Sequence, residues 1–402
     1  MLSSISPYIA PLLVFGLVVF IHELGHFAAA KMVGVYAPVF SLGWGRRVFG
    51  WRRGETDYRV SLIPLGGYVR MATRDDDSLA GIEGGADRGS LDGGMAEKPA
   101  DIPAGLWDNN AMAPFGPKAV PPHRWIESKS IPARVFVLSA GVLMNVLLAY
   151  IVSSGIFFAY GKPSRDVMID SVTTGAPAAL AGLQAGDHIV AVNGQPIRGS
   201  ADVVERISPV TSGSVAVEVR RGAERRTLQV TPQPADIKDP TTGATRRVGR
   251  VGVAMRDSLV HEKVGIARSL MLGGTATWSI TTNIIDVLRG LVSGQVSMRN
   301  VGGPLQIVQT SVQAARSGAE MLWSLIAFLS LNIAIMNLVP IPVLDGGQIL
   351  LVLAEGIKGS EFSVRTREAF ARVGVVAVLA LIVLVTVNDI RTFIESFLST
   401  RS

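Results

Sequence analysis

The sequence contains no cysteine. Disulfide frameworks, thiol nucleophiles and thiolate metal ligands are therefore excluded, and cysteine usage gives no redox compartment. Histidine is scarce as well, with five residues at positions 22, 26, 123, 188 and 261. Any metal site must be assembled from these and from carboxylates. Charge is the third shortage: 17% of the 402 residues are charged against 48% hydrophobic, which is apolar for a soluble protein and points to a membrane. The net charge of +6 would raise nucleic acid as a partner. The basic residues gather beside apolar stretches, however, where the charge asymmetry that orients membrane helices accounts for them, so no nucleic-acid partner is expected.

Four stretches are long and apolar enough to cross a bilayer, which needs about 20 residues. They run over roughly 7–33, 135–160, 321–339 and 373–387. Arg46, Arg47, Arg52, Arg53, Arg59 and Arg70 lie between the first two spans, and Lys358, Arg365, Arg367 and Arg372 lie in a short loop between the last two. The positive-inside rule puts both basic regions in the cytoplasm and both termini outside. The long segment between spans two and three is then extracytoplasmic. Residues 266–288 are only moderately apolar and read as a helix at the membrane surface. Residues 75–122, rich in Gly, Asp, Ala and Pro, read as mobile linker. Arg59 to Met71, RVSLIPLGGYVRM, has β-forming halves around Pro-Leu-Gly-Gly and predicts a hairpin-like loop, which is either an ordinary hairpin or an edge for an extended peptide.

Chemistry concentrates at the end of the first span. His22-Glu23-Leu24-Gly25-His26 has the form H-E-x-x-H. On a helix the two imidazoles share one face, where they can hold a single zinc ion, and the glutamate beside them can take a proton from water. Three ionisable residues in an apolar span are costly and point to function. A catalytic zinc site needs a third protein ligand. His123 lies in a Pro-rich loop, His188 in the extracytoplasmic segment and His261 after it, so a carboxylate is expected. Asp345, in Pro340-Ile341-Pro342-Val343-Leu344-Asp345-Gly346-Gly347, follows span three at the same membrane side as His22 and His26. Asn332 and Asn337 in span three can hold a substrate backbone or brace helix packing. Asn145 in span two reads as packing and support for the ligands, with Gly141 allowing close helix approach.

These segments resemble the site-2 protease family, in particular its bacterial regulator-of-sigma-E protease group. The resemblance runs in order through HELGH, IPLGGYVRM, GVLMN, VGGPLQI at 301–307, LNIAIMNLVPIPVLDGG and NDI at 388–390. It implies that His22, His26 and Asp345 bind one Zn2+ and that Glu23 is the catalytic base. It also implies that Asn332, Asn337 and a membrane-reentrant β-loop around Gly66 and Gly67 bind substrate. The implied task is cleavage of single-span membrane proteins, such as an anti-sigma factor or a remnant signal peptide, in the bacterial inner membrane. The family usually carries His after Asp-Gly-Gly, where this chain has Gln348. Better-known members have two tandem PDZ domains, and this chain has room for one.

The expected fold is therefore a polytopic α-helical membrane protein of four spans with one inserted small α/β PDZ-like domain. Its division is 1–36 first span with H-E-x-x-H, 37–132 β-loop and linker, 133–162 second span and 163–235 PDZ-like domain. Linker and surface helices at 236–318 follow, then 319–348 third span with Leu-Asp-Gly, and 349–402 loop, fourth span and tail. A PDZ-like domain binds peptides by strand addition. The alternative is a non-catalytic membrane adaptor built around that domain. The presence of Glu23 argues against it, because a structural zinc site needs no base.

Overall fold

The computed structural model describes residues 7–74, 106, 108, 111–116, 118–238, 245–297 and 302–399. Most of the linker expected at 75–122 lies outside them. The chain divides into two compact units, residues 1–156 with 266–402, and residues 157–265.

The first unit is mainly helical. Four helices are long and apolar enough to cross a membrane: α1 (Ala10–Met32), α2 (Ile131–Tyr160), α7 (Ala319–Leu338) and the Val364–Arg391 part of α9 (Val364–Ser399). Between α2 and α7 in this unit lie α5 (Ile266–Val292) and α6 (Pro304–Ser317), and α8 (Asp345–Lys358) follows α7. The α5 segment expected at the membrane surface is a helix and is not among the four. It buries a stripe of small residues that includes Ser269, Gly273 and Thr277, and exposes Leu270, Met271 and Trp278.

Helix α1 is apolar apart from His22, Glu23, His26 and Lys31, begins with Pro in its first turn and stops at Gly34, whose left-handed backbone (φ 72°) lets the chain turn away. Helix α7 ends where Pro340 forces Val339 into extended backbone. The α7 helix packs against α1, α5, α6 and α8. Its Leu322, Leu325, Ile326 and Leu329 interdigitate with Ala10, Val14 and Val18 of α1 and with Ala314 of α6. In a bilayer such packing replaces the hydrophobic effect, so close approach of small residues matters most. Gly25 of α1 lies so near the Ala140 carbonyl of α2 that a Cβ would collide with it.

The loop expected between spans three and four is shorter than its sequence suggests. Lys358 ends α8, and Arg365, Arg367 and Arg372 lie in the first turns of α9. Those turns are amphipathic, so hydropathy alone begins the span too late.

The expected hairpin within Arg59–Met71 does not close on itself. β1 (Val39–Arg53) and β2 (Thr56–Arg70) form one curled sheet, with the tight turn at Gly54 and Glu55. Val39–Leu42 is opposite Asp57–Val60 on one side and Gly67–Arg70 on the other, so the first strand lies between the two halves of the second. Gly43, at φ 89°, lies against the Ile63 carbonyl where a Cβ has no room. Buried Ser41 and Ser61 share a hydrogen bond of 2.8 Å across this fold. The Pro-Leu-Gly-Gly signal is thus a bend around a strand already present, a long-range feature that local turn chemistry does not reveal.

The second unit is a small α/β sheet. Its strand order is β10-β3-β4-β6-β7, with β5 (Gln195–Pro196) beside β4. The strands are β3 (Lys162–Val172), β4 (His188–Val192), β6 (Val215–Arg221), β7 (Glu224–Val230) and β10 (Val253–Glu262). Helices α3 (Pro177–Leu180) and α4 (Ser200–Ile207) accompany them, and β8 (Gln233–Lys238) pairs with β9 (Thr245–Arg250). Val167, Ile169, Val192, Val203, Val215, Val217 and Val219 form the core. Asn193 and Gly194, both at positive φ, make the expected turn after β4. The sequence reading ends this PDZ-like unit at 235, but β10 pairs along the whole of β3 and carries it to 265.

Candidate metal centre

His22 and His26 lie one helical turn apart on the buried face of α1. The turn from α7 into α8 brings Asp345 to them, at the first position of α8, where the positive end of a helix favours a carboxylate. His22 Nε2 and His26 Nε2 are 3.2 Å apart, and each faces Asp345 Oδ2, at 3.2 and 3.4 Å. A tetrahedron of N and O ligands about 2.0–2.1 Å from a common centre has edges of about 3.3–3.4 Å. The three donor atoms already have that spacing. Among the described residues this is the one group of three or more His, Cys, Asp or Glu residues arranged to hold a metal ion.

The surrounding contacts fix which nitrogen faces inward. His26 Nδ1 donates to the Val137 carbonyl of α2 (2.9 Å), which leaves the Nε2 lone pair pointing into the cluster. Asn145 of α2 lies 3.4 Å from His22 Nδ1. With its amide oxygen turned to that nitrogen it accepts the Nδ1–H, satisfies its otherwise unpartnered Oδ1 and leaves the His22 Nε2 lone pair facing the cluster. Ser330 of α7 donates to the Asn145 carbonyl (2.7 Å), tying α2 and α7 together at this level. Gly141 packs directly on the imidazoles: a Cβ there would collide with His26 Nε2 and lie 2.7 Å from His22 Cε1.

Glu23 is half-buried and flanks the pair. A Cβ on Gly67 would lie 3.3 Å from Glu23 Cγ and 2.7 Å from the Ser41 carbonyl, so the bare backbone of β2 runs past Glu23. Gly66 adopts φ 95° beneath the indole nitrogen of Trp44. The amide nitrogen of Asn337 lies 3.0 Å from His22 Nε2 and reaches the cluster. Asn332 is five residues earlier, about 140° around the helix, and nothing in the described structure brings it to the cluster. Gln348 donates to the Pro342 carbonyl (2.7 Å) and braces the turn before α8.

One contributor to the cluster, and one helix cap away from it, have roles that sequence reasoning does not reveal. The Val137 carbonyl acts through backbone, which has no side-chain signature. Asp389 of α9 accepts from the amides of Gly303 (2.8 Å), Leu305 (3.1 Å) and Gln306 (3.3 Å), capping α6 from a distant helix. The motifs around 301–307 and 388–390 are the two halves of that single interaction.

The profile of Peptidase family M50 matches residues 10–381. The chain is similar to the regulator of sigma-W protease RasP of Bacillus subtilis, at 29% identity over 96% of this chain and 99% of that protein. It is similar to the zinc metalloprotease RasP of Bacillus licheniformis, at 30% identity over 95% of this chain and 98% of that protein. The zinc metalloprotease RasP of Geobacillus kaustophilus is 29% identical, covering 98% of this chain and all of that protein.

Proposed function

The chain belongs to Peptidase family M50, and from that premise we propose that it is a membrane-embedded zinc metalloendopeptidase that cuts other membrane proteins in or beside their transmembrane segments. One observation carries the proposal: two imidazoles and a carboxylate converge at zinc-ligand spacing with Glu23 beside them. In this reading His22, His26 and Asp345 hold one Zn2+. Bound there, zinc supplies a polarised carbonyl and water of lowered pKa. Glu23 takes the proton from the attacking water and delivers it to the departing amine. Asn337 reaches the ligand side of His22 and is suited to hold the substrate backbone. Gly66 and Gly67 leave the β2 edge bare beside Glu23, so an extended substrate strand can approach. Asn332, which faces elsewhere, is left the packing role.

The basic residues on β1, β2 and the start of α9 support a cluster near the cytoplasmic side of a bacterial inner membrane, with the termini outside. The B. subtilis relative is named a regulator of sigma-W protease, and a membrane-bound anti-sigma factor is the substrate class we infer for this chain. A single-span protein with a short outer tail suits the PDZ-like unit as a peptide-binding filter.

The test is cleavage of a single-span reporter by purified chain, wild type against Glu23→Gln. General-base catalysis is worth about 10²- to 10⁴-fold, so the variant should lose at least that while keeping zinc. Equal cleavage by both proteins would sink the role given to Glu23.

A further inference from the structure

Away from the metal cluster, one carboxylate joins three elements. Glu355, on α8, is 3% exposed. Its Oε2 accepts from Arg134 at the start of α2 (2.8 Å). Its Oε1 accepts from Arg367 on α9 (2.8 Å) and from the Phe362 amide just before α9 (3.1 Å). Arg134 and Arg367 are themselves buried. Arg367 also lies 3.4 Å from Glu361 and 4.0 Å from Glu127. Burial drives the Glu355 carboxyl upward, but the Phe362 amide and the two guanidinium groups outweigh it and hold it below the usual range.

Such a cluster is a poor stabiliser, since buried ion pairs replaced by well-packed apolar residues often leave a fold as stable or more so. What it offers is direction, because each oxygen engages a different helix. The two helices it joins first are those that shape the metal cluster. Asp345 opens α8, ten residues before Glu355 on an unbroken helix. Val137, whose carbonyl orients His26, follows Arg134 by three residues on the same face of α2. The segment joining α7 to α8 is Val339–Leu344, which is not helical, so α7 does not set the position of Asp345 through a continuous helix.

We propose that Glu355, held between Arg134 and Arg367, is a positioning residue for the metal site: it locks α8 to α2 so that Asp345 and the imidazole of His26 meet at ligand spacing. The inference rests on the zinc site proposed above, and it extends that site to three charged residues that touch neither ligand nor base.

The experiment uses the full-length chain in detergent. Zinc affinity is read by chelator competition, and ligand geometry by the visible absorption of the cobalt-loaded protein. The triple variant Arg134→Met, Glu355→Met, Arg367→Met replaces the ion cluster with side chains of similar length. If the lock positions the site, this variant unfolds at or near the wild-type temperature yet binds zinc about 10- to 100-fold more weakly, as loss of outer supports does at metal sites. Its cobalt spectrum also shifts. Glu355→Asp keeps the charge but is one methylene too short to span both arginines; it gives a smaller loss in the same direction and serves if the triple variant does not fold. Wild-type zinc affinity and an unchanged cobalt spectrum in the folded variants overturn the lock. A wild-type chain that takes up no zinc overturns the site, and the lock with it.

Discussion

Gly141 is packed with no room for a side chain. Its missing side chain lets α2 lie directly on both imidazoles. Gly141→Ala should therefore displace His22 or His26 and lower bound zinc well below one per chain, measurable by metal analysis, while the helical content stays near wild type by circular dichroism. Replacing Asn145 with Leu removes the partner of His22 Nδ1 without removing a ligand, and should weaken zinc by about 10- to 100-fold. At this scale the sequence is informative wherever a side chain carries the chemistry. His22, Glu23 and His26 stand out by their spacing on one helix and Asp345 by its Leu-Asp-Gly-Gly turn, and the fold brings the two imidazoles and that carboxylate together. The Val137 carbonyl could not be read, because any residue there has one. Asn332 and Asn337 look equivalent in sequence, and only the turn of α7 separates them.

At the scale of elements, the cap on α6 is the clearest case. Pro304 has no amide hydrogen, so the start of α6 needs few partners, and the Asp389 carboxylate supplies three of its amides with one. Asp389→Ala should cost about 1 kcal/mol, typical of losing a helix cap. The loss should appear as faster hydrogen exchange at Gly303, Leu305 and Gln306, with exchange in the middle of α1 unchanged. Spans were readable from hydropathy, and their ends from Gly34 and Pro340. The start of α9 was not, because its arginines look like loop residues until Glu355 and Glu368 are seen beside them. The curl of β1 between the two halves of β2 was hidden for another reason: Val39 to Leu42 pair with residues at both ends of β2, and the local turn does not encode that second pairing.

Taken whole, the chain combines a membrane unit with clustered buried polar groups and a sheet unit held by an aliphatic core. In the sheet unit Asp187 is buried, and burial raises its pKa. The bidentate Arg221 guanidinium (2.7 Å to each oxygen) and the Gln184 amide outweigh that and hold it low. Because the folded pKa lies below the unfolded one, the pair stabilises the fold fully above the ordinary carboxylate pKa of about 4. That contribution is lost as pH falls below it through the folded value. Amides of β4 and β6 should thus lose protection faster between pH 5 and pH 3 in wild type than in Arg221→Met, where the pair is already gone. The unit's boundary was misread because β10 returns from far along the chain to pair with β3, and a strand followed by a helix looks the same whether or not it closes a sheet.

The central claim, that His22, His26 and Asp345 together hold the metal of a peptidase, is tested most directly by zinc content and zinc-edge X-ray absorption on the full-length protein. Wild type and Glu23→Gln should each carry one zinc with only nitrogen and oxygen neighbours at about 2.0–2.1 Å. His22→Ala and Asp345→Ala should carry little or none. Wild-type zinc content and an unaltered absorption spectrum in those two variants would place the metal elsewhere and contradict the account.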